Sequence, residues 1–114
     1  MIKKTKFLVL TLLLTIGYSI NAQNNKLIKE SFKVWGKCDM CQEKIEDTTN
    51  DIEGVKFGRW SIASNMITVK YDPSQTSTEK IQKVIAGAGY DTELYTAKDE
   101  DYNNLHFCCK YERK

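Results

Sequence analysis

The sequence predicts an α+β fold in the order β-α-β-β-α-β, a four-stranded antiparallel sheet with two helices on one face. Three observations point to it. Apolar residues alternate over 30–35, 55–63 and 66–71, the period of half-buried strands. They recur at helical spacing over 41–52 and 81–88. Turn formers separate these stretches: Gly54, Ser64-Asn65, Asp72-Pro73 and Gly89.

In the first strand Phe32 and Val34 share one face, while Ser31 and Lys33 share the other. Residues 36–40 break the alternation and read as a loop. From Cys41 the small or apolar positions are Cys41, Ile45, Thr48 or Thr49, and Ile52, a helical stripe. Gln42, Glu43, Lys44, Glu46 and Asp47 are expected on its solvated side, and the early acids suit the positive end of the helix dipole. The second strand places Trp60 and Ile62 on one face, with Gly58 leaving room for a bulky neighbour. Ser64 and Asn65 read as a two-residue hairpin turn, since Asn tolerates positive φ. The third strand points Ile67, Val69 and Tyr71 inward. Thr76 and Glu79 have the spacing of a capping box. The helix after them lines up Ile81, Val84, Ile85 and Ala88. A short fourth strand is expected over 91–95. Beyond it, 97–114 reads as a tail of weak secondary structure with a solvated acidic run, Asp99 to Asp101. Its aromatics Tyr102, Phe107 and Tyr111 are expected to dock it.

The N-terminus carries a different message. Lys3, Lys4 and Lys6 precede an apolar run through Leu14, followed by a polar stretch that ends at Ala22. This is the order of a secretory signal, so residues 1–22 are expected to be removed and the protein exported, to the periplasm in a Gram-negative source. The run falls short of the roughly 20 apolar residues that span a bilayer, so no membrane span is expected after cleavage. Cleavage takes away three lysines and no acid, and 17 basic against 15 acidic residues becomes 14 against 15. A charge near neutrality argues against nucleic acid as a partner. The 92 residues that remain suit one modest core: a short lead, 23–28, a domain, 29–96, and the tail.

All four cysteines lie in that mature portion, as the pair Cys38 and Cys41 and the neighbours Cys108 and Cys109. Exported proteins ordinarily use cysteines as disulfides, yet neither close pair would staple distant segments. Cys38-Asp39-Met40-Cys41 sits where a strand ends and a helix begins. Two thiols at this spacing converge on one soft ion, and thiolates select Cu(I), Zn(II) or Hg(II) over hard cations. A helix N-terminus lowers a thiol pKa, and the Lys37 ammonium acts in the same direction. Cys38 is expected to be the more exposed thiol and the first point of contact. A thiol–disulfide redox site and a structural zinc or disulfide-stabilised adaptor remain open. Covalent haem attachment is excluded, because Gln42 stands where a histidine is required. Met40 reads as a partly packed side chain and not as a ligand.

These features together resemble the heavy-metal-associated domain family: the thiol pair in the first loop, Gly54-Val55 opening strand two, Tyr71-Asp72-Pro73 closing strand three, and Gly89-Tyr90-Asp91 before strand four. The likeness runs from about Lys29 to Tyr95. The family includes bacterial copper chaperones, modules of copper-transporting ATPases and the periplasmic mercury-binding protein. It implies a ferredoxin-like fold with Cys38 and Cys41 as metal ligands, and places Tyr90 beside the metal loop as a shield. One departure is Gly36, where the family usually has methionine.

His106, Cys108 and Cys109 lie outside the family pattern. They are candidate auxiliary ligands, for a second soft-metal site or to complete the first, with a tail disulfide as the alternative. A five-residue strand is about 17 Å long, and the dozen residues from Ala97 to Cys108 reach about 40 Å, so the tail can return to the loop. The expected function is therefore that of an exported, non-enzymatic metallochaperone or scavenger. It would carry Cu(I), with Hg(II) or Zn(II) as alternatives, and exchange it with a metal-transporting ATPase, an efflux component or another metal-binding protein.

Overall fold

The computed structural model describes residues 26–114. The expected signal segment lies outside the described residues. In chain order the elements are β1 (Ile28–Lys33), α1 (Asp39–Asn50), β2 (Val55–Trp60), β3 (Met66–Tyr71), α2 (Thr78–Gly87), α3 (Asp99–Asn103) and a 3₁₀ turn, Phe107–Cys109. The sheet is antiparallel with order β1-β3-β2. Alternation delivers Ile67, Val69 and Tyr71 of β3 to one face, all buried. Ile45 and Thr49 of α1 and Ile81 and Ile85 of α2 pack there as well, each fully buried.

The expected four-stranded sheet is corrected to three strands and one isolated bridge. Residues 91–95 meet β1's outer edge only at the antiparallel bridge Val34–Thr92, flanked by bonds from Trp35 N to Asp91 O and Glu93 N to Lys33 O. The groups that would extend a ladder are engaged elsewhere. The Thr92 N–H bonds the Tyr95 carbonyl, the Leu94 N–H bonds Gln82 Oε1, and the Glu93 carboxylate accepts from Lys33 N. The chain turns at Tyr95 instead of running on.

α1 covers β2 more intimately than an amphipathic stripe implies. Gln42, Glu46 and Asn50, four residues apart, all reach the β2 backbone. Gln42 Nε2 donates to the Trp60 carbonyl, Glu46 Oε2 accepts from Trp60 N and Asn50 Oδ1 accepts from Gly58 N. Gln42 and Glu46, expected in solvent, instead satisfy backbone groups along the sheet's free edge. Gly58 permits the close approach, since a Cβ there would lie 2.6 Å from Thr49 Cγ2.

Three further local expectations shift. β2 ends at Trp60, and Ser61 to Met66 closes a longer loop that leaves Ile62 exposed while Asn65 takes the positive φ, 59°. The cap of α2 is Ser77, not Thr76: its hydroxyl accepts from Lys80 N at 3.2 Å, whereas Thr76 is buried. Ser77→Ala is expected to cost about 1 kcal/mol, measured by urea denaturation. α2 also rotates so that Gln82 and Ala86 are buried and Val84 is exposed. The bond from Leu94 N to Gln82 explains the rotation.

The tail does not hang free. Leu105, Cys109 and Tyr111 join the buried core, while Phe107 is 80% exposed and packs against the neighbouring His106 ring. The acidic run forms the first turn of α3, where acids favour the helix dipole. Tyr111 inserts its hydroxyl between backbone groups just beyond the end of α2, donating to Gly89 O and accepting from Asp91 N, both at 2.8 Å. Arg113 completes the latch. Its Nε and one terminal nitrogen hold the fully buried Asp91 carboxylate at 2.8 and 2.9 Å.

Candidate metal centre

The loop after β1 ends at Cys38, which occupies the N-cap of α1 in extended conformation, so its sulfur lies near the free backbone N–H groups of Met40 and Cys41. Cys41 lies one turn in and is fully buried. Their sulfurs are 3.9 Å apart. The Cys41 N–H, with that of Met40 and the neighbouring thiols, outweighs burial and holds the Cys38 thiol below its ordinary pKa. Cys38 is half-buried and Cys41 sealed, so Cys38 is the more accessible of the two thiols.

Lys37 is exposed and borders a groove with Trp35, Ile62 and Lys110, and the lowering of Cys38 comes from backbone and thiol groups. Tyr90 is fully buried against the thiols. Its hydroxyl has no oxygen or nitrogen partner, and burial, then the Cys41 and Cys109 sulfurs, push its pKa far up. It therefore stays a neutral phenol, closing the inner side of the site.

The docked tail brings the second cysteine pair to the first. The sulfurs of Cys38, Cys108 and Cys109 all lie within 4.8 Å of one another. Cys38 Sγ also sits 3.3 Å from the Cys108 carbonyl, and Cys41 Sγ 3.9 Å from that of Cys109. Burial and the neighbouring Cys41 thiol push Cys109 up to about 12, so without an ion it keeps its proton at neutral pH. Cys108 is flanked on its outer side by His106 Nδ1 and Met40 Sδ, both 3.1 Å from its sulfur. His106 is thus placed beside the cluster on its solvent side. The position of Met40 was missed by sequence reasoning, as was the Asp91–Arg113 latch. Met40 touches Cys108 only because a segment 68 residues away folds over it.

This arrangement offers soft donors at one end of the sheet, with Tyr90 and the core behind and solvent in front. Comparison with known proteins points the same way. Residues 37–91 match the heavy-metal-associated domain model. A copper-exporting P-type ATPase of Staphylococcus epidermidis is 32% identical over 76 residues, 67% of this chain but 10% of that protein. The copper chaperone CopZ of Staphylococcus haemolyticus is 29% identical over 56 residues, 49% of this chain and 82% of that protein. Among solved structures, the N-terminal domain of a potential copper-translocating P-type ATPase from Bacillus subtilis, in its Cu(I)-loaded state, superposes with a TM-score of 0.57 and 29% identity. The match covers 65% of this chain and 94% of that one. The matched relatives and the site's own geometry agree: residues 37–91 of this chain are a heavy-metal-associated domain.

Proposed function

We propose that the protein is an exported metallochaperone that holds Cu(I) on Cys38 and Cys41 and passes it on by thiolate exchange. The observation that carries this reading is the 3.9 Å spacing of the two sulfurs at the start of α1. An ion about 2.3 Å from each sulfur would be bound with an S–metal–S angle of about 115°. Such an ion is held by two soft ligands and retains an open side. A third thiolate can bond before an existing bond breaks, so transfer proceeds without a bare ion. The copper ATPase and copper chaperone relatives support Cu(I) as cargo and a metal-transporting ATPase or related metal-binding protein as partner. Export rests on the basic and apolar pattern of residues 1–22.

Native mass spectrometry of the reduced, anaerobic full chain with Cu(I), Zn(II) or Hg(II) tests the reading. Cu(I) is expected to bind and survive competition from Zn(II), and the C38S/C41S variant is expected to lose tight uptake. Undiminished uptake in that variant would remove both residues from the site. Catalytic turnover of a disulfide substrate by the metal-free protein would favour a redox role instead.

A further inference from the structure

We propose that the docked tail builds a three-thiolate site, Cys38 with Cys108 and Cys109, for a thiophilic ion such as Cu(I). The inference rests on the reading of the loop as a metal carrier and adds the residues that decide how firmly the ion is kept.

Geometry is the first argument. Three sulfurs no more than 4.8 Å apart surround a point at most about 2.8 Å from each. A trigonal ion with bonds of about 2.3 Å needs edges of about 4.0 Å. The required contraction is below about 1 Å per edge, within the reach of side-chain rotation.

The second argument is the conformation of the tail. Along an extended chain, successive side chains point to opposite sides, and only one of two adjacent cysteines would face the loop. Here the 3₁₀ turn, closed by bonds from Cys109 N to His106 O and Lys110 N to Phe107 O, wraps both sulfurs toward Cys38. The turn is held from beyond its end by Tyr111 and by the Arg113–Asp91 pair, whose Asp91 carboxylate is buried and matched. A tail that served only to cover the core would not require both thiols on one side.

The third argument is chemical. Cys109 is 3% exposed in a place where an apolar side chain of similar size would pack equally well. Its sulfur has other sulfurs as neighbours, the donor set that soft ions select. As the ion passes from the loop pair to this site, bonds to Cys108 and Cys109 form and the bond to Cys41 breaks; of the two thiol protons released, one returns to the Cys41 sulfur and the other leaves to solvent, with no change in oxidation state. The third coordination position, which an incoming partner thiolate would use, is then filled from within. The tail therefore slows release and moves the protein from ready exchange toward retention.

X-ray absorption of the Cu(I)-loaded full chain tests the site. Three sulfur neighbours are expected in the unaltered protein and two in C108S/C109S. In competition with the chelator bicinchoninate, the double variant is expected to lose affinity by at least about tenfold, the scale seen even when outer metal partners are removed. Cys108 is only half-buried, so C108S keeps the fold should the substitution of Cys109 disturb it, and it too is expected to give up Cu(I) faster. Two sulfurs in the unaltered protein, or unchanged affinity and release in C108S, would overturn the proposal. Those outcomes leave the loop assignment standing, which falls only if C38S/C41S still takes up Cu(I).

Discussion

Arg113→Ala is expected to destabilise the protein by about 3 kcal/mol, one of the largest effects available from a single substitution outside the central core. The reason is what remains behind. Asp91 is fully buried, and its carboxylate is held by Arg113 together with the Ala97 and Lys114 N–H groups. Removing the guanidinium leaves a buried charge with backbone donors alone. Breaking such a pair from one side costs about 3–5 kcal/mol, and the lower figure applies because the Arg113 side chain is itself 25% exposed and partly solvated. Guanidinium denaturation followed by circular dichroism measures the loss.

The same pair makes stability depend on acid. Burial pushes the Asp91 pKa upward, but Arg113 and the Ala97 and Lys114 N–H groups outweigh it, so the carboxyl lies below its ordinary 3.8. A depressed carboxyl contributes its stability fully above the unfolded pKa and loses it as pH falls through the folded value. The unaltered protein is therefore expected to weaken below about pH 4 more steeply than Asp91→Asn, which starts lower and has no such titration. Equal acid slopes would separate Asp91 from the latch.

Gly89→Ala is the second large effect. Gly89 sits at φ +107°, a conformation that a side chain resists, at a cost of about 1–3 kcal/mol. An added Cβ would also lie 2.7 Å from the Asp101 carbonyl oxygen and 3.0 Å from Leu105 Cδ2. The carbonyl belongs to the backbone of α3 and cannot rotate away, so the tail must shift, adding about 1–3 kcal/mol of overpacking. The summed expectation is about 2–6 kcal/mol. Gly87→Ala, two residues earlier, is the matched comparison. Nothing lies within 4 Å of its added Cβ, and alanine there is expected to be neutral or to stabilise by up to about 1 kcal/mol. Parallel thermal melts of the two variants check the contrast, and equal melting temperatures would contradict it.

Both substitutions act where the tail meets the end of α2, a junction with no local signature in the sequence. β3 is the opposite case. Its alternating Ile67, Val69 and Tyr71 declare a strand from neighbouring residues alone, and its limits agree with expectation. The loop pair was equally legible, because Cys38 and Cys41 are separated by one helical turn. Val84 shows where such reasoning stops. A helical stripe tells that one face is buried but not its rotation, which here follows from Gln82 binding the 91–95 segment. The lost fourth strand has the same origin. Periodicity made residues 91–95 suitable for pairing, while long-range bonds to Gln82 and Lys33 took the groups that pairing needed.

From the sequence alone came the first five elements in order, the inward face of β3, and a thiol pair at a helix N-terminus, because these depend on contacts between near neighbours. Tertiary structure decided that a second thiol pair 67 residues beyond Cys41 shares the same space, since Cys108 and Cys109 reach Cys38 only when Tyr111 and Arg113 find Gly89 and Asp91. Local periodicity is written in adjacent residues, whereas the meeting of two distant loops depends on how the whole chain closes on itself.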